Sequence, residues 1–171
     1  MKMMMTLLLM AVMALGVELT VDEKASNIKF EATKMLFVDV DGNFSNFSGT
    51  ISVDGDTITS IKGVVDVLSI DTDDTKRDDH LLSSDFFDAV RFHKIRFVST
   101  KITDDTVVAE ITIKDITKPV TFKLEQLYVS EKSVKIKLSA VVDRTEFDID
   151  NNFMSMMIFD DIDVSSTLIA K

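Results

Sequence analysis

The chain contains no cysteine. Disulfides, thiolate nucleophiles and cysteine metal sites are excluded with it. Tryptophan is also absent and tyrosine occurs once, against twelve phenylalanines. The aromatic supply is therefore almost wholly apolar and has few hydrogen-bonding handles. Cations are outnumbered, 19 Lys and Arg facing 29 Asp and Glu, for a net charge of −10. Nucleic acid is excluded as a partner by that balance, because binding it takes clustered cations that displace counterions. The acidic residues lie in short scattered clusters, as on a solvated surface. Catalytic signatures are missing too: there is no His-Glu-x-x-His, no Gly-x-Ser-x-Gly and no phosphate-binding loop. No internal repeat or low-complexity linker divides the 171 residues, a length that suits one domain with a real core.

What is present begins with a hydrophobic leader. Met1-Lys2 gives a positive start, and Met3 to Leu15 is apolar except for Thr6. Ala14-Leu15-Gly16 offers small residues where a signal peptidase reads. Residues 1–16 are therefore expected to be a secretory signal peptide, with the folded domain spanning 17–171. The run is shorter than the ~20 apolar residues that span a bilayer, and no Cys follows it to carry lipid. No permanent membrane anchor is expected after cleavage. Export to a bacterial periplasm is the expected localisation.

From Val17 onward the pattern is strand after strand. Ile28, Phe30 and Ala32 share one face while Lys29 and Glu31 share the other, the period-two alternation of a half-buried strand. Asp41-Gly42 reads as a break before a strand from Phe44 to Val53, and Asp54-Gly55-Asp56 as a turn. Further strands are expected over Ile58–Ile70, Lys94–Ser99, Val107–Ile113, Val120–Leu124 behind Pro119, Val134–Val142 and Ile162–Leu168. Pro119 is expected to begin its strand, because proline cannot sit in the middle of a fully paired one. Short polar turns and the lack of a βαβ rhythm predict antiparallel pairing. Such a sheet must close into a barrel or stack as a sandwich to hide its apolar face and its edges.

One stretch interrupts the strands, Arg77-Asp78-Asp79-His80-Leu81-Leu82-Ser83-Ser84-Asp85-Phe86-Phe87-Asp88. Its first half predicts a short helix capped by Asp71 or Asp73, with Asp74 favouring the positive end of the dipole. Ser83-Ser84 is expected to end it. Two readings stand for this stretch: the rim of an apolar pocket, or a surface helix whose Leu and Phe plug a barrel end. His80 lies among Asp78, Asp79 and Asp85, so a metal site or acid–base pair can be drawn there. Acidic residues around a single His are more often a hydrogen-bonded helix surface. Arg77 with Asp78, and Arg144 beside Asp143, read as structural ion pairs. No catalytic residue and no metal site is assigned.

A set of motifs then occurs in one order. It runs Ser26-x-Ile28-x-Phe30, Gly42-x-Phe44-x-x-Phe47-x-Gly49, Ser69-Ile70-x-Thr72 and Arg77-Asp78-x-His80-Leu81. Ser84-Asp85-Phe86-Phe87-Asp88, Ile95-x-Phe97-x-Ser99, Thr112-Ile113-x-x-x-Thr117-x-Pro119-Val120 and Asp143-Arg144-x-x-Phe147 follow. Together they resemble the YceI-like family of periplasmic polyisoprenoid-binding proteins, over about the whole of residues 17–171. The resemblance implies an all-β fold: an antiparallel, lipocalin-like extended β-barrel with a short helical insertion around residues 73–84. It implies no cofactor, and a bound long-chain isoprenoid or fatty amphiphile inside the barrel. A homodimer is the assembly it suggests. Family members commonly carry Gly where Asp115 and Asp148 stand here, so both positions are expected at positive φ, where Asp is tolerated at a cost.

Two function classes follow. The first is a soluble carrier or store for an isoprenoid lipid such as a polyprenyl chain or quinone. The second is a structural or interaction barrel filled by its own side chains. For the carrier, hydrocarbon affinity comes from apolar area removed from water, with a few polar groups at one end to orient the ligand. Phe37, Phe44, Phe47, Phe86, Phe87, Phe92 and Phe97 are the candidate tail contacts. Arg77 and His80 are the candidate head-group contacts. Adjacent Phe86 and Phe87 cannot both point inward if their segment is extended.

Overall fold

The computed structural model describes residues 16–34, 38–149 and 158–171. Residues 1–15 of the expected leader (1–16) and Phe37 lie outside the described residues.

Among the described residues eleven strands form one antiparallel sheet: β1 (Val17–Thr20), β2 (Asn27–Lys34), β3 (Val38–Phe44), β4 (Phe47–Asp54), β5 (Thr57–Asp66), β6 (Ile70–Asp71), β7 (Lys94–Ile102), β8 (Thr106–Ile113), β9 (Ile116–Ser130), β10 (Ser133–Asp143) and β11 (Ile158–Ala170). Their order across the sheet is β1-β4-β5-β7-β8-β9-β10-β11-β2-β3-β6. The sheet curls into an open, lipocalin-like half-barrel. Its edge strand β1 is tied at one end to β11, since Thr20 and Lys171 exchange N–H···O bonds of 3.0 Å and the Asp22 N–H reaches the Ile169 carbonyl at 2.7 Å. The single α-helix among the described residues, α1 (Thr75–Leu82), lies in the excursion between β5 and β7.

The inward faces of these strands make one core. Around β1 it is solid: Ile51, Val53, Val134, Ile136 and Ala170 are fully buried, with Leu19 and Ile58 nearly so. Ile51 opposes Leu19 across β1 and β4, and Val134 opposes Ala170 across β10 and β11. β-branched residues dominate here because they pack well on a pleated surface.

Local departures from the sequence expectations have physical causes. Asp41-Gly42 does not break the chain but lies inside β3, where Gly42 pairs with Phe30. The Phe30 ring occupies the space a Cβ at Gly42 would need. Pro119 sits inside β9 rather than at its start, paired with Glu110 of β8. The pairing of β9 with β10 begins only at Lys123, so the missing N–H faces an unpaired side. The strand expected over Ile58–Ile70 is split: β5 ends at Asp66, a 3-10 turn takes Val67–Ser69, and β6 pairs with the end of β3. The cap of α1 is Asp74, not Asp71 or Asp73, its carboxylate accepting from the Lys76 and Arg77 N–H groups. Those bonds, that from Arg77 first, hold its pKa below the ordinary carboxylate value. Ser83 ends the helix as expected.

Candidate functional site

Away from β1 the inward face is hollow. A cavity of about 190 Å³ is bounded by Ile28, Phe44, Phe47, Ile61, Phe97 and Phe122, among others. A second, of about 150 Å³, lies beneath the excursion, with Phe30, Phe86, Phe87 and Phe147 in its wall. Phe44, Ile95, Ile113, Val142 and Val164 line both, so the two hollows share a wall and follow one another through the barrel. Alternation along the strands explains the lining. Leu138 and Val142 come from β10, Ile95 and Phe97 from β7, and Ile111 and Ile113 from β8, the members of each pair an even number of residues apart so that both share a face. Aromatic pairs stiffen the wall: Phe30 and Phe44 have centroids 5.6 Å apart, and Phe97 meets Phe122 edge-on at 5.3 Å.

The excursion from Val67 to His93 roofs the second cavity. The segment after α1 is a turn rather than a strand, with Phe86 N–H donating to the Ser83 carbonyl and Phe87 N–H to that of Leu81. That geometry lets adjacent Phe86 and Phe87 both line the cavity, which an extended segment would forbid. Phe86 is 4% exposed. A polar clamp fixes the roof to β6. Buried Thr72 donates its hydroxyl to Asp78 Oδ1 at 2.5 Å and accepts from Arg77 Nε at 2.7 Å, while Arg77 Nη2 donates to the Thr72 carbonyl. Arg77 and Asp78 thus act on Thr72.

The wall between β10 and β11 carries a charge, Arg144, that the sequence suggested only as an ion-pair partner of Asp143. Arg144, in the 3-10 turn Arg144–Phe147, is 5% exposed and is the one charged residue in the lining of the second cavity among the described residues. Its guanidinium donates to the carbonyls of Ile149 (2.6 Å) and Phe159 (3.2 Å) and to Asp160 Oδ1 at 3.0 Å. A buried arginine requires such partners, and here they bind both sides of the turn. Asp143 instead caps that turn. The Thr145 hydroxyl, then its N–H, holds the Asp143 carboxyl below the ordinary range. The next residues are tied by Lys114, whose ammonium donates to the Asp148 carbonyl at 2.6 Å. Asp148 adopts φ 56°, as expected. Asp115 does not take positive φ; Lys114 does, at 57°. In the two-residue β8–β9 turn the left-handed position is the first, as in a II′ turn.

The expected site residues separate into groups. Phe44, Phe47 and Phe97 line the first cavity, and Phe44, Phe86 and Phe87 the second. Phe92, half-buried under the Arg91 guanidinium at 5.0 Å, lines neither. Arg77 and His80 also lie outside both linings. Arg77 is held by Thr72. His80 is partly exposed, edge-on to Phe86 at 5.0 Å, with Nε2 3.8 Å from Asp85 Oδ2. No group of three or more His, Asp or Glu side chains arranged to hold a metal ion occurs among the described residues, and no helix among them is long and apolar enough to cross a membrane. Phe30, Phe122 and Phe147 were not expected in the lining; the period-two pattern that places Phe30 and Phe122 inward was available for both.

On the outer face, carboxylates line up across three strands. Glu31 opposes Asp41 on β3 and Asp163 on β11. Repulsion from Asp39 foremost raises the Glu31 pKa above its ordinary value.

Comparison with known proteins places this architecture. A family model described as a YceI-like domain matches residues 19–170. A UPF0312 protein of Staphylococcus aureus is 35% identical over 108 residues, 62% of this chain and 63% of that protein. A UPF0312 protein of Vibrio vulnificus is 35% identical over 107 residues, 58% of this chain and 57% of that one. The matched region thus spans less than two thirds of either relative. Among solved structures, BcnA of Burkholderia cenocepacia superposes with a TM-score of 0.80 at 22% identity, covering 88% of this chain and 99% of BcnA. A structure described as a polyisoprenoid binding domain from Saccharophagus degradans gives 0.74 at 14% identity, covering 90% and 97%. At those identities the likeness concerns the fold.

Proposed function

The chain belongs to the family of YceI-like domains, and from that premise we propose that it is an exported carrier or store for a long-chain isoprenoid or similar fatty amphiphile. One observation carries the reading: a barrel packed solid around β1 encloses, in its other half, two adjoining apolar hollows walled by phenylalanine. A hydrocarbon chain gains about 25 cal/mol for each Å² withdrawn from water, and such a wall offers little else. The Saccharophagus degradans neighbour, described as a polyisoprenoid binding domain, supports the ligand class. Phe44, Phe47 and Phe97 are the proposed contacts for the inner part of the chain, and Phe86 and Phe87 for the part under the roof. Arg77 and His80 are left out of the proposed contacts, because neither borders a cavity. The activity is holding the ligand rather than transforming it. Residues 1–16 supply the export signal, and the periplasm is the proposed compartment.

Purification from the native host without detergent, followed by native mass spectrometry before and after organic extraction, tests this. The expected result is a mass above that of the polypeptide, removed by extraction, with a prenyl or fatty species in the extract. The bare polypeptide mass in both spectra would overturn the proposal in favour of a barrel whose hollows stay empty.

A further inference from the structure

Three of the four glycines within 17–171 have a local structural cause, and the fourth does not. Gly55 has a φ of 65°; a Cβ at Gly42 would strike the Phe30 ring; at Gly49 it would come within 2.6 Å of the Lys62 carbonyl oxygen. Gly63 lies inside β5, where glycine loses backbone entropy and buries nothing. Its φ is not left-handed, and a Cβ there would meet nothing closer than the Ser48 carbonyl oxygen at 3.6 Å and Phe97 Cβ at 3.9 Å, ordinary contacts. The fold accepts a side chain at this position.

The position faces the first cavity. Gly63 stands two residues from buried Ile61 and two from Val65, all three in that cavity's lining, so it shares their inward face. Its cross-strand partners are Gly49 on one side and Phe97 on the other, both also lining residues. Two adjacent strands therefore present bare backbone to the hollow, while their neighbours present Phe, Ile and Val. Resting on the carrier reading above, we propose that Gly63 is the chain-length gauge of the site: the absence of a side chain there provides the space for the inner isoprene units of the ligand, and the residue at this position sets the longest chain the barrel accepts.

The test uses delipidated full-length mature protein and geraniol, farnesol and geranylgeraniol, a series that lengthens by one isoprene unit at a time. Wild-type affinity is expected to rise at each step. Gly63→Leu is expected to keep the affinity for geraniol and to lose that for geranylgeraniol by on the order of tenfold or more, since each excluded isoprene unit forfeits the burial of several carbons. Gly63→Ala is expected to fall between. An unchanged length dependence in Gly63→Leu overturns the inference, and so does an equal loss for all three alcohols. Failure of Gly63→Ala to fold, read by circular dichroism, overturns it as well, because the position would then require glycine for structural reasons. Failure of the wild type to bind any of the three defeats the carrier reading instead, leaving the two results distinguishable.

Discussion

The same strands behave differently at their two ends. Around β1, Ile51, Val53, Val134 and Ile136 are fully buried in the core. Farther along, β4 continues through Gly49 and Phe47, β5 through Gly63 and Val65, and β10 through Leu138 and Val142, and there the barrel is hollow. Alternation is the same in both halves. What differs is whether neighbouring inward side chains meet: β-branched residues interlock across adjacent strands in the packed half, whereas two facing glycines and large rings held against the wall leave space in the other. A barrel can thus be a folding core at one end and a container at the other without any change of strand geometry.

The sharpest way to break that comparison is a charge in the hollow half. Phe86→Asp and Phe87→Asp place a carboxylate in the apolar lining of the second cavity, where burying a charge costs several kcal/mol. Both folded variants are expected to lose bound lipid, measured as lipid retained per folded protein with circular dichroism as the fold control. Full lipid load in both would make the excursion a plug and nothing more.

A milder test compares one substitution at the two ends. Ile136→Ala removes packed atoms and is expected to cost about 2–5 kcal/mol in chemical denaturation. Ile113→Ala, at a residue bordering both cavities, removes atoms that already lack neighbours on one side. Its loss in the lipid-free protein is expected to be at or below the bottom of that range. Equal losses would show that the hollow half is as tightly packed as the other.

Smaller effects sharpen the turns that hold the hollow end. Asp148→Gly relieves a left-handed non-glycine residue and is expected to raise stability by about 0.5–1 kcal/mol. Asp115→Gly, at a residue whose φ is not positive, is expected to give no gain. The same thermal melts compare them.

The smallest effect is electrostatic. Asp39, burial, Asp41 and Asp163 raise the folded-state pKa of Glu31 above its ordinary value, so its ionised form destabilises the fold. That penalty is complete at pH above the raised value and is relieved as the pH falls through it. Glu31→Gln is therefore expected to raise the melting temperature slightly at neutral pH, with the gain shrinking in acid. A gain that grew toward low pH would contradict the assignment.

Much of this molecule was legible before its fold. Alternation in segments such as Ile28–Ala32 and Val134–Val142 located the strands, because a half-buried sheet imposes period two on its residues. The helical excursion was readable where that alternation stops and capping residues begin, and the YceI-like barrel through the resemblance carried by the ordered motifs. Strand ends were less so: Gly42 and Pro119 signal breaks locally, yet a cross-strand phenylalanine ring and an unpaired ladder side absorb them. At the site, phenylalanine identified the cavity wall, but not which rings reach it. Arg77 and His80 attracted attention through charge, while Arg144 was read only as the ion-pair partner of Asp143. Whether an arginine meets solvent, a carbonyl or a cavity depends on chain segments brought together only by folding, as Ile149, Phe159 and Asp160 are around Arg144.

On the carrier proposal, a single lipid chain lies in the hollow half and leaves the packed half untouched. Methyl NMR of the delipidated protein titrated with geranylgeraniol tests it most directly. Intermolecular NOEs are predicted to Val65, Ile95, Ile113, Val142 and Val164, the residues that wall the hollows, and none to Val53, Val134 or Ile136, which are fully buried in the packed end. NOEs to the packed-end methyls, or saturating binding with none to the cavity wall, would contradict the account.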